Sequence, residues 1–178
     1  YLAQLQTAKL NDDVEVAHYA ATAVAQISKE SDLKLQQLER AFKTDPSAQN
    51  LNEYCDFLGE FLGSGLAEGR VAQIQRQQYA RLLARRCERE DALELRIRYA
   101  TTLADVGQID EAQAVTDQLV LDVPEEQEVW MLCLRLAVMR RDGDEVHRVI
   151  DAIDKQHVYL SADNREKLAF WRDGEEAR

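Results

Sequence analysis

Apolar residues recur at steps of three and four along nearly the whole chain, which places them on one face of a helix. The clearest case is the segment from Asn11 to Asp45, which contains neither Gly nor Pro and has apolar residues at helical spacing from Ala17 to Phe42. Only 7 Gly and 2 Pro occur in 178 residues, fewer than an all-β fold needs for its frequent turns. The sequence therefore predicts an all-α protein.

Charge and composition narrow the class of partner. The chain carries 33 Asp and Glu against 22 Lys and Arg, a net charge of -11, and 46% of its residues are hydrophobic, which is enough for a folded core. A negative net charge disfavours nucleic acid and anionic lipid, because both attract positive surfaces. No run approaches the roughly 18 apolar residues of a membrane span. Since the chain starts at Tyr1 rather than Met, we expect a fragment whose membrane attachment lies upstream.

We predict three regions. Residues 1–46 form a short helix from Leu2 to Leu10 and a long helix from about Asp13, which stops before Pro46 because the residue preceding a proline is pushed out of the helical region. Residues 47–158 form helical hairpins, and residues 159–178 form a capping helix and a tail. Helix starts are indicated by Asp-x-x-Glu pairs, in which the Asp side chain accepts from a free backbone N–H. These pairs are Asp12/Glu15, Asp91/Glu94, Asp142/Glu145 and Asp163/Glu166.

A glycine-rich segment from Gly63 to Gly69 separates a predicted helix over Ser47–Leu62 from one that runs from Arg70 to about Glu90. A phosphate-binding loop has a Lys and a Ser or Thr after it and a strand before it, and neither is indicated here. We therefore interpret these glycines as the turn of a hairpin.

A 34-residue unit that starts at Leu93 resembles a tetratricopeptide repeat, a helix-turn-helix of that period. If Leu93 is position 1, the residues that match the family pattern at positions 7, 8, 15 and 20 are Tyr99, Ala100, Gly107 and Ala112. The resemblance implies that position 15 turns the chain and that the small residue at position 20 lets the two helices approach.

The same pattern continues without a gap from Gln127. Trp130 falls at position 4, where the family favours Trp, and Cys133 falls at position 7. The usual glycine of the turn is replaced by Arg141-Asp142, and the usual alanine at position 20 by Val146. The sequence therefore predicts a second hairpin and leaves the geometry of its turn open.

The resemblance implies a tetratricopeptide-type solenoid that acts as a non-catalytic protein-binding scaffold, closed by a C-terminal capping helix around Leu168. In this family, positions 2, 5, 9, 12 and 13 of each first helix form the concave binding face. The partner-binding candidates at these positions are Phe57, Phe61, Ile97, Met131, Arg135, Val138 and Met139. Their apolar members either bind a partner or pack internally, and the sequence leaves both open.

A narrower resemblance involves the segment from Asn11 to Thr22, on the long helix that leads into the repeats. It is similar to tetratricopeptide subunits of bacterial Pel exopolysaccharide synthesis complexes. This resemblance implies a role in exopolysaccharide and biofilm formation and a location at the cytoplasmic face of the inner membrane. It also implies a protein partner, the membrane-anchored cyclic-di-GMP receptor subunit of the same complex.

Two other functions stay open. One is a self-assembling structural module, in which the long N-terminal helix pairs with its copy in a homo-oligomer. The other is a periplasmic polysaccharide-export scaffold, which Cys55, Cys87 and Cys133 disfavour, because an odd number of widely spaced cysteines is a poor disulfide framework. Reduced thiols are typical of the cytosol. Since Cys55 and Cys133 fall at position 7, a hairpin contact, we predict that both are buried.

No motif in the sequence indicates catalysis. The three histidines, His18, His147 and His157, have no ligand partners at metal-binding spacing, and no nucleophile stands in a recognised context. We therefore predict no catalytic residue, no metal and no cofactor.

The predicted helix from Arg70 is rich in arginine. Such a face is either solvated and paired with neighbouring acids or a docking site for an acidic partner. The arginines of this secondary basic patch are Arg76, Arg81, Arg85, Arg86 and Arg89.

Overall fold

The protein is all-α, as predicted: the structure, a computed structural model, describes residues 1–173 and contains nine helices and no strand in that range. The helices are α1 (Leu2–Ala8), α2 (Val14–Thr44), α3 (Ala48–Gly63), α4 (Gly69–Cys87), α5 (Leu93–Asp105), α6 (Ile109–Asp122), α7 (Gln127–Arg140), α8 (Gly143–Lys155) and α9 (Ala162–Asp173). Two compact units divide the chain, Tyr1–Leu82 and Leu83–Arg178. Their boundary falls inside α4, within the predicted run of hairpins. The predicted tail at residues 174–178 lies outside the described residues.

The long helix of the first unit is unbroken. Helix α2 has 31 residues, which is about 45 Å at 1.5 Å per residue, and it ends at Thr44 before Asp45-Pro46. Helix α1 packs against it. Four apolar residues of α2 are buried: Ala20, Leu35, Leu38 and Phe42.

Helix α3 packs against α2 and against the first part of α4. Its start is capped by Ser47, and its Tyr54 ring lies 6.3 Å from the ring of Phe42. Gly59 contacts α4 through the ring of Tyr79, because a Cβ atom at this glycine would lie 2.6 Å from the Tyr79 hydroxyl oxygen. A larger residue at position 59 would therefore require the Tyr79 side chain to shift.

Two helical hairpins and a ninth helix form the second unit. Helix α5 packs on α6, α6 on α7, α7 on α8, and α8 on α9. One hydrophobic core joins α7, α8 and α9 and includes Trp130, Ile150 and Leu168. The indole N–H of Trp130 donates to the carbonyl of Pro124 at 2.7 Å, which satisfies the one polar group of a buried ring.

The turns of the two hairpins have the same geometry. Gly107 has a φ of +80° and Arg141 a φ of +57°, both in the left-handed region. In each turn, the N–H of the following residue bonds to the carbonyl five residues earlier, at 2.9 and 3.1 Å. This bond pattern is the usual end of a helix on a left-handed residue. Arg141 therefore adopts the conformation that glycine adopts one repeat earlier.

One of the four predicted helix caps is confirmed. The Asp142 carboxylate accepts from the N–H of Glu145 at 3.0 Å. The prediction of Asp12 was wrong, because α2 is capped by Asp13. The side chain of Asn11 accepts from the N–H of Asp13 at 2.9 Å, and this turn places Asp13 at the helix start.

The predictions of Asp91 and Asp163 as caps were also wrong. The N-cap residue of α5 is Ala92, which provides no side-chain cap, and Asp91 lies 3.9 Å from the guanidinium of Arg96. Beside α9, the hydroxyl of Ser161 accepts from the N–H of Asn164 at 3.2 Å. Asp163 instead pairs along the helix with a lysine one turn later.

Candidate partner-binding surface

The first helices of the two hairpins, α5 and α7, contact each other directly. The Arg135 guanidinium of α7 lies 2.5 Å from the Asp105 carboxylate of α5, and Arg140 lies 2.7 Å from Asp110 of α6. Both ion pairs join residues that are 30 positions apart. The second hairpin is therefore placed on the first by two bonds of the same sequence offset.

The start of α9 is also bonded to α7. The side-chain oxygen of Gln127, the first residue of α7, accepts from the N–H of Ser161 at 2.8 Å and from the side-chain amide of Asn164 at 3.0 Å. Ser161 follows Gln127 by 34 residues, the same interval that separates Gln127 from Leu93. The start of α9 is thus tied to α7 one repeat length later.

The residue at position 8 of the repeat is buried in each of α5, α7 and α9. The residues there are Ala100, Leu134 and Leu168, with exposures of 0, 3 and 4%. Leu168 therefore has the core contact expected of a capping helix. In contrast, Phe170 is 69% and Trp171 37% exposed, so the aromatic end of α9 is open to solvent.

The predicted groove residues of α5 and α7 differ in their surroundings. Met131 and Val138 are half-buried and pack against the core of α7, α8 and α9. Ile97 is half-buried on α5, and Arg135 is held by Asp105. Met139 is 42% exposed. Of the apolar candidates in this unit, it offers the most surface to a partner.

The remaining two candidates belong to α3 in the first unit. Phe61 is only 5% exposed and is part of the core, and Phe57 is half-buried. Phe61 therefore has a packing contact already, whereas Phe57 retains some accessible surface.

The arginines of the basic patch are distributed along α4 and just beyond it. Arg76 is half-buried and Arg81 is exposed in the first unit. In the second unit, Arg85 and Arg89 are exposed. Arg86 is 9% exposed and lies 3.8 Å from Glu90, so its guanidinium is directed into the protein rather than outward.

The cysteines are free thiols, and two are buried as predicted: Cys55 is 1% and Cys133 7% exposed. Burial, together with the carboxylates of Asp117 and Glu145, raises the pKa of Cys133 to about 12. Burial also raises the pKa of the half-buried Cys87. Because the thiolate is the reactive form, these environments suit packing rather than nucleophilic chemistry.

Two apolar residues of the second unit are exposed, and the sequence did not indicate that they would be. Leu121 on α6 is 76% exposed, and Tyr159 in the loop between α8 and α9 is 78% exposed. An isolated apolar residue has the same appearance in a sequence whether it is buried or exposed. Its surroundings are decided by residues distant along the chain.

Across residues 1–173, no three His, Cys, Asp or Glu side chains are grouped so that they could hold a metal ion. None of the helices described combines the length and apolar character that a membrane crossing requires. Comparison of the chain with models of known protein families, with curated proteins and with solved structures finds no match.

Proposed function

We propose that this chain is a non-catalytic protein-binding scaffold, a solenoid of tetratricopeptide-type hairpins. The proposal depends above all on the 34-residue interval that relates α5, α7 and α9. This interval recurs in the bond between Gln127 and Ser161 and in the left-handed turns at Gly107 and Arg141. Hairpins that repeat at this period and stack on their neighbours are typical of solenoids with an extended binding face.

The binding face lies on the first helices of the hairpins. Met139 provides exposed apolar surface on α7, and the ion pair between Arg135 and Asp105 provides charged groups between α7 and α5. An apolar anchor among polar neighbours is typical of the residues that dominate binding energy at interfaces. Met131 and Val138, which pack on the core, hold α7 in position instead of contacting the partner.

The partner that we propose is the membrane-anchored cyclic-di-GMP receptor subunit of a Pel-type exopolysaccharide synthesis complex. The chain then acts at the cytoplasmic face of the bacterial inner membrane. Support comes from the resemblance of residues 11–22 to subunits of such complexes. In this chain residues 14–22 of the segment form the start of α2, a helix of 31 residues, and so precede the hairpins as the resemblance requires.

The substitution Met139→Glu tests this binding face. Because the side chain is 42% exposed, a charge there leaves the fold intact, and we expect the Kd for the cytoplasmic segment of the receptor subunit to rise at least tenfold in isothermal titration calorimetry. The matched control is Leu121→Glu, which puts the same charge on a residue that is 76% exposed on α6. It should bind like the wild type.

The outcomes distinguish a wrong partner from a wrong binding face. A wild-type chain that does not bind the receptor segment contradicts the proposed partner. Unchanged affinity in Met139→Glu, or equal losses in both variants, contradicts the proposed face. Circular dichroism and Tm of each variant establish that it is folded.

A second candidate function, self-association through α2, is favoured by the apolar surface that this helix exposes. Its exposed apolar residues are Val14, Val16, Tyr19 and Leu33, with exposures of 79, 42, 77 and 50%. Val16 and Tyr19 are three residues apart and therefore neighbours on the helix surface, and adjoining exposed apolar side chains are typical of interaction sites. If α2 pairs with its copy, Tyr19→Glu should convert a dimer to a monomer in sedimentation equilibrium. A wild-type chain that is monomeric at every concentration excludes this function.

A further inference from the structure

A cleft of about 530 Å³ lies between the end of α8 and helix α9, and we call it the C-terminal cleft. Its floor is aliphatic, because Ile153, Leu160 and Leu168 line it and are 2, 7 and 4% exposed. Binding pockets commonly have volumes of roughly 300–1,000 Å³ and mainly apolar walls. The cleft therefore has the size and the floor of a binding site.

The rim of the cleft is positive although the chain is acidic. Arg165 and Arg172 line it together with a single carboxylate, that of Asp154. One nitrogen of the Arg172 guanidinium lies 3.0 and 2.7 Å from the two carboxylate oxygens of Asp154, which neutralises this pair. The Arg165 side chain is exposed and has no ion-pair partner among the side chains described, those of residues 1–172. Within that range, one unpaired cation therefore lies at this rim on a chain of net charge -11.

Two further residues of the rim suit contact with a protein. His157 has a φ of +53°, the left-handed conformation for which glycine is preferred after a helix. Its imidazole lies beside the cleft. Tyr159, its neighbour on the rim, is 78% exposed. Tyr and Arg are two of the residue types enriched where protein interfaces bind most tightly.

We propose that the C-terminal cleft binds an acidic peptide segment of a partner protein. An apolar side chain of this segment fills the aliphatic floor, and an adjacent carboxylate binds Arg165. Charge complementarity with the unpaired guanidinium selects the anion, and the floor of Ile153, Leu160 and Leu168 selects an apolar neighbour beside it. This site contains none of the groove residues of α5 and α7, so the proposal does not depend on the proposed function.

The probe is the hexapeptide Leu-Glu-Phe-Glu-Leu-Glu, acetylated and amidated, titrated into the full ¹⁵N-labelled chain. We expect saturable amide shifts concentrated in residues 153–172. Arg165→Glu should raise the Kd at least tenfold while the dispersed amide spectrum shows an intact fold. The matched control, Arg70→Glu, reverses the charge of an exposed arginine of the first unit and should leave the Kd unchanged.

Two other probes test the chemistry of the ligand. The same peptide with Lys in place of Glu should give no saturable shifts in residues 153–172, because it would meet Arg165 with a like charge. Inorganic phosphate at equal concentration should give none, because it cannot use the aliphatic floor. The proposal is overturned by equal binding of either probe, by an unchanged Kd in Arg165→Glu, or by the absence of saturable shifts with the acidic peptide.

Discussion

The hairpins α5–α6 and α7–α8 have the same turn geometry but reach it with different residues. The first turns at Gly107, whereas the second turns at Arg141 in the same left-handed conformation, which costs roughly 1–2 kcal/mol in a residue other than glycine. The second hairpin has a compensating contact. Asp142 caps α8, a contribution of roughly 0.5–2 kcal/mol, whereas Gln108, the N-cap residue of α6, forms no side-chain cap.

This difference shows which interactions determine the hairpin. The turn residue and the cap vary, and their effects on the free energy of unfolding are of similar size and opposite sign. The buried contacts between the helices recur, at position 8 with Ala100 and Leu134 and at position 20 with Ala112 and Val146. Helix packing therefore sets the arrangement, and the turn and cap adjust its stability.

Position 7 gives the largest contrast between the hairpins, because it holds the half-buried Tyr99 in one and the buried Cys133 in the other. A rise in the pKa of Cys133 from 9.0 to about 12 lowers the thiolate fraction at pH 8 roughly a thousandfold. We expect maleimide to label Cys133 of the native chain far more slowly than a cysteine peptide, because the side chain is 7% exposed and its raised pKa leaves little thiolate. Cys55 should also be slow, and the half-buried Cys87 should react faster than either, as followed by peptide mass spectrometry. Labelling of Cys133 as fast as that of Cys87 would show that position 7 is not a hairpin contact.

Overpacking of position 20 tests the contact between α5 and α6. Ala112 is 0% exposed, so Ala112→Leu should lower the free energy of unfolding by about 1–3 kcal/mol in urea denaturation. Ala114→Leu makes the same change at an exposed position of the same helix and should have almost no effect. Equal midpoints for the two variants would mean that the helices do not cross at Ala112.

Asp142, the cap of the second hairpin, should contribute more to the free energy of unfolding than Gln108, the corresponding residue of the first hairpin. Asp142→Ala removes the acceptor for the N–H of Glu145 and should cost about 1 kcal/mol. Gln108→Ala removes no cap bond and should be nearly neutral. Thermal and urea unfolding measure the stability of both variants. An unchanged free energy of unfolding in Asp142→Ala would show that the cap of α8 does not offset the strain at Arg141.

Exchange of the turn residues should give the smallest effects, of opposite sign. Gly107→Ala puts a side chain in the left-handed conformation and should destabilise by about 1 kcal/mol. Arg141→Gly removes that strain but gives the unfolded chain more freedom, so a net stabilisation of about 0.5–1 kcal/mol is expected. Destabilisation by Arg141→Gly in urea unfolding would show that the Arg141 side chain has a contact more important than its strain.

The helices were predictable from the sequence because apolar spacing is a local signal that burial then reinforces. The extent of α2 follows from this spacing together with the absence of Gly and Pro between Asn11 and Asp45 and with the stop at Pro46, and the turn at Gly107 was predicted from the repeat pattern. The caps were less predictable, since the Asp-x-x-Glu pattern selects Asp12 whereas the structure uses Asp13. The choice between them depends on a bond from the side chain of Asn11, and no spacing rule contains that bond.

The candidate surface was less predictable than the fold for a related reason. Met131 and Met139 are both apolar residues at face positions of one helix. Only the packing of α8 and α9 separates them, because it covers Met131 and leaves Met139 42% exposed. The C-terminal cleft likewise results from contacts between Ile153 and Leu168, which lie on different helices.

The account rests on the claim that α5, α7 and α9 are related by a regular 34-residue offset, and nuclear Overhauser spectra of the full chain test it directly. We predict cross-peaks from the side chain of Gln127 to the amide of Ser161, 34 residues later, and to the side-chain amide of Asn164. Cross-peaks between the side chains of Arg135 and Asp105 should show in addition that α7 lies against α5. Cross-peaks that place Gln127 beside other residues, with none to Ser161 or Asn164, would contradict the claim.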